Sequence, residues 1–274
     1  MKISLTFFLF LSLLTIKDSF ALCSLKDDHP ILSLSGPITH ILKELNLLKK
    51  VKAISLFHGI SKNDFTGDRL GGGIFLSTDY IKKFSKPVLF FDESLEMRKN
   101  FKDLNLMAHE VKTRNMDPFE AYEHSLKILL PYLKHCENEI TSINKWVNEI
   151  KIRFEKKSAL KKTYLFYLGG IPKVGRKPNL IMVDNFVLYF KKRKLMATYP
   201  TELNYASWSE KVLAELKKGP YLEVGLINGG SEQLEFQSIS DGEKNIIQQS
   251  LLIPGLAQIK VIEPLWNLLE KQDS

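Results

Sequence analysis

The sequence predicts an α/β protein in two lobes, each with a parallel-type sheet flanked by helices, joined by one long backbone helix. Three observations carry this. Through the first half, short apolar runs alternate with helical patterns, which is how the strands and crossover helices of a parallel sheet read. An amphipathic helix with no internal glycine or proline then spans 138–157. After it, the alternation of strand and helix begins again. The predicted units are an export signal at 1–21, a first lobe at 22–134, a connecting helix at 135–161 and a second lobe at 162–274.

Lys2 precedes an apolar run over 3–16 centred on Phe7, Phe8, Leu9, Phe10 and Leu11. Ser19-Phe20-Ala21 then places small residues three and one positions before a cleavage point. The run is shorter than the roughly 20 residues of a membrane-spanning helix, and Lys17 and Asp18 close it. A cleavable secretory signal fits these features better than a retained anchor. It also fits better than a lipidated Cys23, because Leu22 stands where a small residue is wanted. An exported chain is expected in the periplasm, so its net charge of +8 does not imply a nucleic-acid partner. Lys191-Lys192-Arg193-Lys194 and Lys156-Lys157 are expected as solvated faces, near anionic lipid. The cysteines are Cys23 and Cys136. An oxidising compartment permits a bridge between them, and two separate buried thiols are the alternative.

In chain order, 30–34 is expected as a strand, 38–47 as a helix, and 51–55 as a second strand. The loop 56–76 is long and contains Gly71-Gly72-Gly73; at the carboxyl end of a parallel strand, such a loop is where ligands bind. Strands at 88–91 and 107–111 enclose a helical stretch at 94–104, and a helical region opens at Pro118 and runs to 133. On the connecting helix, Ile140, Ile143, Val147, Ile150 and Phe154 form one stripe, with charged residues elsewhere. The second half is expected as a strand at 163–168, a Gly/Pro-rich loop at 169–178 and a helix at 182–192. A helix at 210–216, a strand at 221–227 and a last strand at 258–262 follow, with only a short helix after Pro264. Each half also carries a hydroxyl residue and an acid opening a helix ahead of a strand: Thr78-Asp79 before Val88, and Ser209-Glu210 before Tyr221.

This order of elements resembles the periplasmic binding proteins for cobalamin and ferric siderophores, over essentially the whole mature chain. Ile31-Leu32-Ser33-Leu34-Ser35-Gly36-Pro37-Ile38-Thr39 is similar to the family's opening strand and loop. The helix at 138–157 falls where the family has its backbone helix, and 163–170 is similar to the first strand and loop of its second lobe. The resemblance implies capture of a ferric siderophore, cobalamin or haem in a cleft between the lobes, and delivery to an ABC permease in the inner membrane. It implies permease docking through Asp79, where the family usually has Glu, and Glu210. It also places ligand-binding residues at Ser35, Gly36 and Pro37, whose backbone N–H groups would meet an anionic ligand. Phe57 and His58 on the second loop, and Tyr205 and Trp208 before the Glu210 helix, are the other cleft candidates. His40 stands where the family generally has Glu, and Lys191-Lys192-Arg193-Lys194 replaces a glycine signature.

Two other chemistries compete. A Zn or Mn carrier of the related importer type would use His40, His58 and Asp79, although no H-x-H or H-x-x-x-H spacing is present. A secreted α/β hydrolase would need a Ser–His pair, but the sequence has no G-x-S-x-G elbow, no Walker A motif and no dinucleotide fingerprint. The sequence is therefore expected to encode a binding protein with no catalytic role and no resident cofactor.

Overall fold

A computed structural model describes residues 22–26, 29–56, 58–70, 78–92, 106–168, 180–182, 185–198, 205–207, 222–228, 233–238, 244–248 and 253–273. The first half comprises β1 (Ser24–Leu25), β2 (Ile31–Leu34), α1 (Gly36–Glu44), β3 (Ala53–Ser55), β4 (Asp68–Leu70) and the one-turn α2 (Thr78–Ile81). It continues through β5 (Val88–Asp92), β6 (Met107–Val111), α3 (Pro118–Leu129) and β7 (Leu133–Lys134). Five of its strands form one sheet in the order β4-β3-β2-β5-β6, and every neighbouring pair is parallel.

All four residues of β2 are buried, because a central parallel strand is covered on both faces. Its side chains alternate as a pleated strand requires. Ile31, with Ile54, Val88 and Phe90, joins the main core beside Ile38 and Leu42 of α1 and Phe119 of α3. Leu32 and Leu34, with Ala53, Leu89 and Phe91, face Ile81 in a second, smaller cluster. The start of α3 is fixed by a capping box. Asp117 accepts from the N–H groups of Phe119 and Glu120 at 2.9 and 3.0 Å, and the Asp117 N–H donates to Glu120 at 2.8 Å.

The connecting helix α4 (Glu137–Glu155) is continuous over 19 residues. Of its expected stripe, Val147, Ile150 and Phe154 are buried, while Ile140 and Ile143 are only partly covered. A disulfide joins Cys23 to Cys136, the residue before α4, with Cα atoms 4.3 Å apart. It lies beside the antiparallel β1–β7 pair, so the amino-terminal residues and the helix start are fixed together. In the chain-entropy picture, closing a loop of 113 residues stabilises the fold by about 4–5 kcal/mol.

The second half contains β8 (Thr163–Leu168), β9 (Leu180–Met182), α5 (Asn185–Lys192), β10 (Ala197–Thr198) and β11 (Tyr205–Ser207). It ends with β12 (Leu222–Asn228), β13 (Gln233–Ser238), β14 (Lys244–Gln248) and α6 (Leu256–Asp273). Its sheet runs β11-β9-β8-β12-β13-β14, with β10 also on β8. It is mixed where a parallel-type sheet is expected: β8 pairs in parallel with β10 and β12, and the remaining pairs are antiparallel. Asn228-Gly229-Gly230 followed by alternating Leu234-Glu235-Phe236 is the hairpin signal that accounts for β12–β13.

The strand expected at 258–262 is part of α6, which continues through Pro264. Leu256, Ile259, Ile262, Trp266 and Leu269 are all buried, and their spacing of three and four is helical, so the five-residue window was too short to separate helix from strand. Gly255, at φ +85, turns the chain into α6 where a side chain would begin 3.2 Å from the Tyr122 backbone. The helical stretches expected at 94–104 and 210–216 lie outside the described residues.

Aromatic side chains from both halves meet. Phe119 packs on Tyr189 with ring centroids 4.8 Å apart, Phe154 on Trp266 at 5.7 Å, and Phe190 on Trp266 at 5.0 Å. The two sheets are separate, but the main core is continuous across α1, α3, α4, α5 and α6. The basic cluster at the end of α5 lies at the surface, with Lys192 and Lys194 exposed as expected, and two of its charges are paired. Lys192 pairs with Glu120 at 2.7 Å, and Arg193 pairs with Glu155 at 3.4 Å and lies over the Tyr189 ring. Lys157 likewise bonds Glu270 at 3.1 Å. Among the described residues, no helix is long and apolar enough to cross a membrane.

Candidate functional site

The strands of the first sheet all point their carboxyl ends the same way, so β2, β3 and β5 deliver Ser35, Leu56 and Asp92 to one edge, with His58 close by. Register brings them together: Leu34 lies against Phe91, which sets Asp92 beside the residue that opens α1. There the Gly36 N–H donates to Asp92 Oδ2 at 3.2 Å. This N–H was expected to meet an anionic ligand, and the protein's own carboxylate takes it. Pro37 has no N–H to offer. Ser35, Gly36 and Pro37 are buried, and Ile253, just before α6, covers the turn: a side chain on Gly36 would begin 2.7 Å from Ile253 Cγ2. Ser35 Oγ is enclosed without a hydrogen-bond partner among the described residues.

His58 is buried beside this turn and shares a polar network with α1. Its Nδ1 is 2.8 Å from Thr39 Oγ1. The Thr39 hydroxyl also lies 2.8 Å from Ser33 Oγ and donates to the Ser35 carbonyl at 2.7 Å. His40 Nε2 donates to the His58 carbonyl at 2.8 Å and so fixes the backbone of the second loop. Burial pushes His58 down to about 3, and proximity to His40 adds to this. His40 is pushed down to about 4, again chiefly by burial, although its bond to the His58 carbonyl opposes the shift. Both rings are therefore neutral across the physiological range. Thr39 and Asp92 belong to this cluster although sequence reasoning did not select them.

The other sequence candidates fall elsewhere. Asp79 sits on α2 with its side chain 86% exposed and 3.7 Å from Lys82, away from the histidines. The His40–His58–Asp79 grouping that a metal carrier would use is therefore not assembled. Among the described residues, no group of three His, Cys, Asp or Glu side chains could hold a metal ion. Tyr205 opens β11 at the edge of the second sheet, its backbone paired with Met182. Phe57, Trp208 and Glu210 lie outside the described residues. Among the described residues, surface cavities flank α4. One of about 410 Å³ is lined by Glu44, Ser142, Ile143, Trp146 and Lys260, and one of about 290 Å³ lies between α3 and α4. Neither contains a predicted site residue.

No protein-family model matches the sequence, and no curated protein matches it. Solved structures do match. The periplasmic vitamin B12 binding protein BtuF of Vibrio cholerae superposes with a TM-score of 0.62 at 12% identity, covering 88% of this chain and 96% of that one. The periplasmic heme binding protein HutB of Vibrio cholerae gives 0.60 at 14% identity, covering 88% and 98%. The petrobactin-binding protein YclQ from Bacillus subtilis gives 0.55 at 12% identity, covering 89% and 92%. The chain has the two-lobed α/β fold of these proteins. At such identities the likeness is one of architecture.

Proposed function

We propose that this chain is an exported solute-binding protein. In this reading it captures a ferric siderophore, cobalamin or haem between lobes 22–134 and 162–274 and delivers it to an ABC permease in the inner membrane. The carrying observation is the extent of the architectural match: nearly the whole length of binding proteins for three such solutes aligns with this chain. An apolar leader ending at Ala21 and an intact disulfide both suit the periplasm. The cleft would lie at the carboxyl edge of the first sheet, bordered by Ser35, Gly36, Pro37, Phe57 and His58, with Tyr205 and Trp208 on the facing half. The metal-ion and hydrolase alternatives are not favoured, since the histidines gather no third metal-binding side chain among the described residues and the similar structures are binding proteins.

Titration of the chain beginning at Leu22 with haem, cyanocobalamin and a ferric siderophore, followed by absorbance, tests the proposal. One of them is expected to bind at about 10 μM or tighter; no change with any of the three would end it. Docking is proposed through the carboxylates of Glu210 and Asp79, the latter exposed, which would meet arginines on the permease. Glu210→Ala should leave solute affinity intact and slow uptake, whereas lost affinity would put Glu210 inside the cleft. At Asp79 the pair with Lys82 must open first.

A further inference from the structure

Lysines without an acidic partner gather at one edge of the first sheet. Lys49, Lys50 and Lys52 run into β3 at Ala53, and Lys82, Lys83 and Lys86 run into β5 at Val88; all six are exposed. β2 lies between these strands and runs parallel to both, so two stretches far apart in sequence deliver their lysines to the same amino edge, about 10 Å apart. Both approaches are pinned to β2. The Lys52 N–H donates to the Ile31 carbonyl at 2.9 Å, and the Val88 N–H to the Pro30 carbonyl at 2.9 Å. Among the described residues, Lys82 alone of the six has an acid in ion-pair range, Asp79 at 3.7 Å. Asp68, also at this edge, is engaged by the Tyr80 hydroxyl at 2.5 Å. Asp27 and Asp28 precede β2, and with Asp68 and Asp79 they still leave lysine in excess.

Two further observations say what meets this edge. Met107, paired with Val88, opens β6 beside the lysines and is 37% exposed. The chain also enters the sheet here, through β1 and into β2, and Leu22, the first residue after the leader, is 84% exposed. A leader ending at Ala21 therefore leaves few residues between the membrane it occupies and this edge. We propose that the amino edge of the first sheet is a docking surface for a bilayer with anionic headgroups of the phosphatidylglycerol type. Ammonium groups on long stems are point charges, and spread along an edge they suit an array of separate phosphates better than one defined anion. Met107 adds apolar contact. The carboxyl edge, where the cleft is proposed, lies on the opposite side and stays open while the protein rests on lipid. The choice of bilayer rests on the export reading above; solute capture plays no part in it.

Co-sedimentation of the chain beginning at Leu22 with lipid vesicles, with no solute present, tests this. Binding is expected to vesicles of mixed phosphatidylglycerol and phosphatidylcholine, and is expected to be lost in strong salt and absent with phosphatidylcholine alone. A lysine near an anionic surface is worth about fivefold in affinity, so Lys49→Gln, Lys50→Gln and Lys86→Gln combined should weaken binding about a hundredfold. Lys145→Gln, Lys156→Gln and Lys161→Gln combined remove the same charge from α4 and the segment after it, and should weaken binding less than about threefold. Equal losses from the two triple variants would mean that net charge alone binds lipid, and would overturn the proposal. So would failure to bind the anionic vesicles, or equal binding to both kinds. These results leave solute capture untouched, and a failed solute titration with edge-specific vesicle binding would remove the transport proposal alone.

Discussion

His40 and His58 tie the candidate site to stability. Their folded values of about 4 and about 3 lie below the ordinary 6.5 of an imidazole. Burial is the main cause; Lys43 and Lys260 beside His40 push the same way, and Glu44 opposes them. The unfolded chain takes up protons as the pH falls through about 6.5 and the folded chain does not, so stability is full above that value and drains away below it. By about pH 4.5 the loss should reach about 2 to 3 kcal/mol for each ring. Urea unfolding at the two pH values measures it, and a midpoint that stays put would contradict the buried, neutral assignment. His58 was legible in the sequence because it follows a strand on a long loop. Thr39 and Asp92 were not: Asp92 reaches Gly36 only through the pairing of Leu34 with Phe91, and one sequence does not state which strands pair.

Among the elements, the buried parallel strands were the easiest to read, since runs such as Ile31-Leu32 and Val88-Leu89-Phe90-Phe91 have no polar face. β4 was missed because Asp68-Arg69-Leu70 is a short, polar edge strand with no apolar signature. The hardest element was α6, where Pro264 read as a helix start. It lies inside the helix on the exposed side, and its ring nitrogen has no proton to give the Lys260 carbonyl. Pro264→Ala should therefore raise stability by about 1 kcal/mol or more. Thermal unfolding would show it, and a lowered melting temperature would mean that the bend at this position is needed to seat Trp266.

For the whole molecule, two sheets and an unbroken connecting helix were legible from order and spacing. The continuity of the core was not, because Phe119 meets Tyr189 and Phe154 meets Trp266 across long stretches of chain. Replacing Cys23 and Cys136 together by alanine should cost about 4 to 5 kcal/mol, read from denaturant midpoints; an unchanged midpoint would mean that the bridge adds nothing to the β1–β7 pair. The placement of α6 has a further consequence. Ile253 seals the turn at Gly36, Arg153 grips Glu263 through two bonds, and Asp273 holds the N–H groups of Lys161 and Lys162. A chain ending at residue 252 should accordingly fail to give a cooperative unfolding transition, and a sharp one would refute this. While a ribosome is still making the last twenty or so residues, the keystone of the aromatic junction is missing, so the nascent polypeptide cannot close its core before α6 emerges.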